Sequence, residues 1–371
     1  MRNGGDWTAH DAAPAGADTP RRDSVPDRHV VPFVAESIAR VRDHGHVGPR
    51  RRTFGAAPAS GNQFCLFLKP WTTNPGVDLP GVIDVVLDRI AAHGLAIDEA
   101  AVLPGAYLRA ERIAAAHYWR MTGLARDPAA RLSADDWVRF HDAFGGDADR
   151  KALLGGFAFL DRVPGVSAQA LEILWENLPQ HRLGKSIACA RVALGNTAVF
   201  LVNGFVPHLL QGYERPDAVV VAFALSGALA WRDARHAFIG HTDPSRAAPG
   251  SLRRTLFARQ AQLGIVDLRL GANGAHLSAG PVEALVELQR LMSAGPADLR
   301  TPTDFLLGRQ LAAHFDAAAI DAMLSNPDVD TAQGRLSLFD LTEETDGRDA
   351  VALLSALRDR FTPPLPHHAG P

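Results

Sequence analysis

The sequence predicts a mixed α/β (α+β) protein, on two observations. Apolar segments of strand length alternate with segments of helical period between residues 63 and 120, in the order strand, helix, strand, helix. The chain also has 371 residues, of which 47% are hydrophobic, which is enough for a substantial core. Together these features predict helices packed on a sheet.

The predicted elements follow one another with clear boundaries. Residues 63–68 form an apolar strand, and residues 80–94 carry valine, leucine and isoleucine at helical period up to Gly94, a typical C-cap. A strand at 95–103 and a helix at 110–120 come next. Further along, a strand at 218–225 precedes a helix at 228–238.

The two ends of the chain differ from this middle part. Residues 1–60 are rich in Ala, Gly, Pro, Asp and Arg, which predicts a mobile arm with at most a short helix at 33–41. Residues 293–361 predict a helical C-terminal extension, and residues 362–371 a disordered tail. In that extension, helices are expected at 304–314, 317–324 and 349–360, and the acidic residues near Asp328 indicate a turn.

One short segment carries residues suited to catalysis. Asn273 is followed by His276 and Ser278, just before a helical segment that contains Glu287. When a hydroxyl and a carboxylate fix one imidazole nitrogen as a donor, the other nitrogen is free as a nucleophile. A histidine before a helix is more often a polar cap, so this segment alone is a weak signal.

Three more motifs stand in order along the chain. The strand at 63–68 ends in Lys69-Pro70, a Gly-His-Thr-Asp-Pro turn contains Thr242, and a Pro-Gly-Ser-Leu-Arg segment ends in Arg253. With the segment from Asn273 to Glu287, these motifs and their spacing resemble the nucleoside diphosphate kinase family. The resemblance covers roughly residues 62–118 and 200–292. It implies a ferredoxin-like sandwich of the nucleoside diphosphate kinase type for residues 61–292.

The resemblance also implies a function. Such a phosphotransferase moves the terminal phosphate of ATP or another nucleoside triphosphate, through phospho-His276, to a nucleoside diphosphate or a specialised nucleotide-like acceptor. Glu287 and Ser278 would support the histidine, and Mg²⁺ would be held by the nucleotide phosphates. The alternative is a non-catalytic nucleotide-binding module built on the same fold. The residues implied to contact nucleotide are Lys69, Tyr118, Arg235, Thr242, Arg253, Asn273 and Phe205.

The chain departs from the family pattern in two places. The family's second phosphate-binding arginine falls at His236, whereas the arginine here is Arg235, and one residue rotates a helical side chain by about 100°. Either the helix is shifted so that Arg235 substitutes, or this charge is lost. The second departure is an insertion at about 119–200, mostly helical in pattern, which suggests a lid, an enlarged nucleotide grip or a lateral packing subdomain.

Composition narrows the remaining choices. A net charge of −3 gives no basic footprint for nucleic acid, and two cysteines argue against a disulfide framework. The N-terminal residues lack the apolar core of a signal peptide, and no apolar run reaches membrane-spanning length. We therefore expect a cytoplasmic protein without nucleic-acid or membrane partners and with homo-oligomerisation possible.

Overall fold

The computed structural model describes residues 29–56, 58–146, 148–331 and 334–361. The strands are β1 Arg50–Thr53, β2 Asn62–Leu68, β3 Ala96–Pro104, β4 Leu153–Gly155, β5 Gln180–Gly184, β6 Ile187–Leu194, β7 Thr197–Val202, β8 Val219–Gly227, β9 Ala275–Leu277, β10 Asp328–Thr331 and β11 Gly334–Ser337. The α-helices are α1 Val30–His44, α2 Leu79–Ala92, α3 Gly105–Ala110, α4 Ile113–His117, α5 Trp119–Arg126, α6 Ala134–Phe144, α7 Gly156–Arg162, α8 Ala168–Glu176, α9 Val206–Glu214, α10 Trp231–Asp233, α11 Leu252–Arg259, α12 Pro281–Met292, α13 Leu306–Ala312, α14 Ala317–Leu324, α15 Leu338–Leu341 and α16 Gly347–Ala356.

The main sheet confirms the expected mixed α/β class. Its strand order is β1-β3-β8-β2-β9, and each neighbouring pair is antiparallel. Side chains of β2 alternate between two core clusters, with Phe64, Leu66 and Leu68 on one face and Cys65 and Phe67 on the other. Both faces are therefore buried, one under α1, α2 and α11 and the other under α9, α12 and the C-terminal helices.

The prediction of a mobile arm was wrong for part of residues 1–60. Helix α1 buries Phe33, Val34 and Ile38 in the main core, and β1 pairs with β3 as the edge strand of the sheet. The helix was expected only at 33–41 because the surrounding composition is polar and arginine-rich. The apolar side chains of α1 nevertheless lie on a single face of the helix, and that face is buried. Residues 1–28 of the predicted arm lie outside the described residues.

The inserted region was expected to be mostly helical. This prediction was wrong because it did not include the strands of the region. Besides α5 to α8, it contains a four-stranded sheet in the order β4-β7-β6-β5 and two core clusters of its own. One signal for these strands was present in the sequence, because Gly195-Asn196 joins β6 to β7 and such a pair between apolar runs is typical of a hairpin. A capping box at Ser133 begins α6.

The C-terminal extension contains the expected helices as α13, α14 and α16. The acidic segment read as a turn at Asp328 is instead the first strand of the antiparallel pair β10–β11. The predicted tail at 362–371 lies outside the described residues. Among the helices that the structure describes, none combines the length and apolar character needed to cross a bilayer.

Candidate active site

Strand pairing brings the distant sequence motifs together. In the register of β2 with β9, Phe67 lies opposite His276, and the two rings stack with centroids 4.5 Å apart. The pairing continues past the strand end, where the Lys69 amide donates to the Gly274 carbonyl at 2.9 Å. Gly274 has φ 81°, a left-handed conformation that glycine adopts without a Cβ penalty. The end of β2 therefore places Lys69 beside the segment that carries His276.

Glu287 is the centre of the hydrogen-bond network around His276. It lies on α12, is only 3% exposed, and its two carboxylate oxygens are 2.9 and 3.0 Å from His276 Nε2. The Ser278 hydroxyl donates to Glu287 Oε2 at 2.5 Å and also reaches the Cys65 carbonyl. Because a carboxylate accepts, Nε2 of His276 carries the proton and Nδ1 presents a lone pair.

His117 belongs to the same network and was missed by the sequence analysis. Its Nδ1 lies 3.0 Å from Glu287 Oε1, and its ring meets the His276 ring edge to face at 4.6 Å. The only signal available was its position directly before Tyr118, at the end of α4. A histidine at a helix end is too common to single out, and its link to Glu287 depends on tertiary packing.

The buried network sets the charges of its members. Burial is the main reason that the pKa of His276 is lowered to about 4, although Glu287 opposes this effect. Burial alone would raise the pKa of Glu287, but His276 and His117 hold it well below its usual range. At neutral pH the site therefore contains an ionised Glu287 and a neutral His276, and a neutral imidazole is the nucleophilic form.

Lys69 and Arg253 supply buried positive charge near the histidine. Burial first and Arg253 second lower the pKa of Lys69 to about 7, and the charge of Lys69 in turn contributes to lowering the pKa of His276. Burial and the charge of Arg235 lower the pKa of Arg253 to about 9. Cations that lower each other's pKa in a buried region favour an anion between them.

Arg253 also has a structural role that the sequence did not indicate. Its guanidinium donates from Nε and Nη2 to the Ala275 carbonyl and from Nη1 to the Gly240 carbonyl. These bonds join β9 to the turn that precedes Thr242. Three of the five N–H donors of Arg253 are thus bound to backbone carbonyls.

The structure distinguishes between the two readings of the Arg235–His236 departure. Residues Ala234–Ile239 form a π-helix, in which one extra residue shifts the helical register. Arg235 points to β9 and donates to the Leu277 carbonyl at 2.9 Å. The His236 side chain is 65% exposed and pairs with Glu344. The shifted helix therefore brings Arg235, and not His236, to the strand that carries His276.

Asn273 and Thr242 are connected through the backbone. The Asn273 side chain donates to the Thr242 carbonyl at 3.1 Å, whereas the Thr242 side chain is exposed. Two buried polar atoms in this region, Asn273 Oδ1 and Arg235 Nε, have no partner among the described residues. An unpaired buried polar atom is costly, so each is available for a ligand group or an ordered water.

Tyr118 and Phe205 lie at different distances from the histidine network. Tyr118 forms a 2.8 Å hydroxyl contact with Tyr213 and packs edge to face on His117. Phe205 is half-buried, and its ring packs near Trp175 of the inserted region. The structure thus groups Tyr118 with His276 and places Phe205 against the insertion.

A cleft of about 290 Å³ reaches His276. Tyr118 and Glu283 line it together with residues from the insertion and from the C-terminal extension. Lys69, Arg253 and Asn273 are not among its lining residues and lie in the buried layer around β9. Burial and the charge of Glu287 raise the pKa of Glu283 to about 8, so this carboxyl group is largely protonated at neutral pH.

His117, His276 and Glu287 form the one group of potential metal ligands found among the described residues, with their ligand atoms within 4.8 Å of one another. Two imidazoles and one carboxylate suit zinc-like ions, whereas Mg²⁺ prefers oxygen ligands. This cluster therefore does not fit Mg²⁺.

Comparison of the sequence with models of known protein families found no match, and neither did comparison with curated proteins.

Proposed function

We propose that the protein is a nucleoside diphosphate kinase-like phosphotransferase that works through phospho-His276. The observation that carries the proposal is the Glu287 contact to Nε2 of a neutral His276, since this leaves Nδ1 as the nucleophile. The strand order β3-β8-β2-β9 supports a ferredoxin-like sandwich for the core, because a β-α-β-β-α-β chain with this antiparallel order has that architecture.

In the first half-reaction, the Nδ1 lone pair of His276 attacks the terminal phosphorus of a nucleoside triphosphate. The bond from that phosphorus to the bridging oxygen breaks, and its electron pair leaves with the diphosphate. In the second half-reaction, an oxygen of the acceptor diphosphate attacks the phosphohistidine and the electron pair returns to Nδ1. Such transfer depends mainly on positioning and on neutralisation of negative charge.

The side chains have separate tasks in this scheme. Lys69 and Arg235 offer positive charge to the phosphates, and Arg253 adds charge while it fixes β9. Glu287, with Ser278 and His117, holds the imidazole in one tautomer and stabilises the positive charge that develops on it. Mg²⁺ would bind the nucleotide phosphates and help to neutralise them. A cytoplasmic location, as predicted, would give access to nucleoside triphosphates.

The second candidate is the non-catalytic nucleotide-binding module. Two observations favour it: three donors of Arg253 are bound to backbone carbonyls, and acidic side chains from the C-terminal extension line the cleft. Both features reduce the positive charge that is left to neutralise a phosphoryl group during transfer.

The deciding experiment is incubation with γ-labelled ATP and Mg²⁺. We expect an acid-labile, alkali-stable label on the wild-type protein and on the control His241→Ala, which alters an exposed histidine. His276→Ala should remain unlabelled. Absence of label on wild type, with nucleotide still bound, would exclude the kinase and support the binding module.

A further inference from the structure

A second cationic site lies at the mouth of the cleft and comes from the inserted region. Lys185 and Ser186 form the turn between β5 and β6, and both line the cleft that contains His276. The chain has three lysines. The other two are Lys69, which lies near the histidine, and Lys151, which lies on an exposed turn. No motif of the resembled family accounts for Lys185.

Carboxylates of the C-terminal extension contact Lys185 at this mouth and also approach Arg235, which does not line the cleft. Lys185 Nζ pairs with Asp340 and lies 3.2 Å from Glu343 Oε2. Glu343 Oε1 is 3.9 Å from Arg235 Nη2, so one carboxylate lies between the insertion and the π-helix. Carboxylate oxygens thus occupy positions where phosphate oxygens would meet the same two cations.

These ion pairs are partly exposed, which limits their strength. The side chain of Lys185 is 54% exposed and that of Glu343 is 35% exposed. Ion pairs of this kind contribute little to stability, because water and salt screen them. A di- or triphosphate carries more negative charge than one carboxylate and can replace it on Lys185 and Arg235.

We propose that Lys185, together with Arg235, binds the phosphates of the nucleotide, and that Asp340 and Glu343 are internal competitors for this site. The segment that carries them must release Lys185 before an anionic substrate enters the cleft. The inference deepens the proposed function by adding a phosphate ligand from the insertion, but the binding it describes does not require phosphoryl transfer.

The test measures binding of ADP and of pyrophosphate to the full chain by titration calorimetry, with no phosphate donor present. Lys185→Ala should weaken both ligands about ten-fold, the size expected for loss of a charge-assisted contact. The matched control is Lys151→Ala, which removes an exposed lysine from the same insertion and should bind like wild type.

The competitors are tested with the shape-preserving variant Asp340→Asn/Glu343→Gln. It should bind both ligands about five-fold more tightly than wild type at low salt, and this advantage should shrink at high salt. The control Glu344→Gln removes one negative charge from the same segment, at a residue that pairs with exposed His236 and not with Lys185. It is compared with the single variant Glu343→Gln, which also removes one charge.

Equal affinities for Lys185→Ala and Lys151→Ala would overturn the inference, as would failure of both wild type and the double variant to bind either ligand. Binding that depends on Lys185 in a protein that never forms phosphohistidine would leave the inference standing and remove only the kinase. If Glu344→Gln binds the ligands as tightly as the double variant does, the gain in affinity is a general effect of removing negative charge. That result would also contradict the inference.

Discussion

At the scale of single residues, burial keeps His276 neutral, and one shared carboxylate, Glu287, orients its ring. Glu287 accepts from His276 and Ser278 and lies 3.0 Å from His117 Nδ1. These contacts fix the orientation of the carboxylate, which in turn holds the imidazole in one tautomer, while burial lowers the pKa of His276 to about 4. The residues that position Glu287 are therefore as relevant to the proposed chemistry as His276 itself.

Replacement of His117 should separate positioning from binding. His117→Ala removes a donor to Glu287 and should slow phosphohistidine formation about ten-fold or more, with little change in ADP affinity. His117→Asn places an amide donor near the lost Nδ1 and should recover part of the rate. The comparison is made by rapid-quench labelling and by calorimetry. A purely structural role would instead reduce binding and labelling together in both variants.

The lowered pKa of Lys69 predicts that nucleotide binding depends on pH. Its pKa is lowered to about 7 by burial and by Arg253, so its positive charge is present below that pH and is lost as the pH rises. A bound phosphate raises the pKa again, and ADP binding at pH 8 should therefore take up protons. Calorimetry in buffers of different ionisation enthalpy measures this uptake. Proton uptake that persists in Lys69→Met would assign it to another group.

At the scale of elements, the π-helix at Ala234–Ile239 explains a departure that sequence spacing could not resolve. The spacing of the resembled family assumes a regular α-helix, in which the position of His236 corresponds to the family's second phosphate-binding arginine. The extra residue in the π-turn turns Arg235 toward β9 and leaves His236 with Glu344 at the surface. Helical register was therefore the missing information.

This assignment predicts opposite results for two adjacent substitutions. Arg235→Ala should weaken ADP binding about ten-fold, because it removes the guanidinium that we propose as a phosphate ligand. His236→Ala should change affinity less than two-fold, since this side chain is exposed on the other side of the turn. If the His236 variant shows the larger loss, the family spacing holds and the π-register is not the functional one.

Helix α1 provides a stability prediction for the segment that composition misassigned. Phe33→Ala should lower the free energy of unfolding by about 3 kcal/mol or more, because it leaves a cavity in the main core. Arg40→Ala on the exposed face of the same helix should cost under about 0.5 kcal/mol. Urea unfolding followed by circular dichroism measures both. A mobile arm would give no loss for Phe33.

At the scale of the whole molecule, the sequence predicted the main sheet and its helices better than it predicted the inserted region and the C-terminal extension. The strand that ends before Lys69 was predictable because it is a continuous apolar run, whereas the three-residue strand β9, which contains His276, was not predicted. The insertion's sheet was less evident, since its strands are short and its helices carry the stronger periodic signal. The contacts of Lys185 with Asp340 and Glu343 could not be read from sequence at all, because they join positions 155 and 158 residues apart.

The same long separations have a consequence for synthesis of the protein. The residues that line the cleft come from the insertion, the β9–α12 region and, last, the segment that ends at Glu343. Domains fold while the chain leaves the ribosome, N-terminal parts first. A nascent chain that has emerged only through α12 already contains the paired β2 and β9 and both positively charged side chains, Lys185 and Arg235, but not yet their carboxylate partners. Lys185 and Arg235 therefore lack these ion pairs until the final segment emerges.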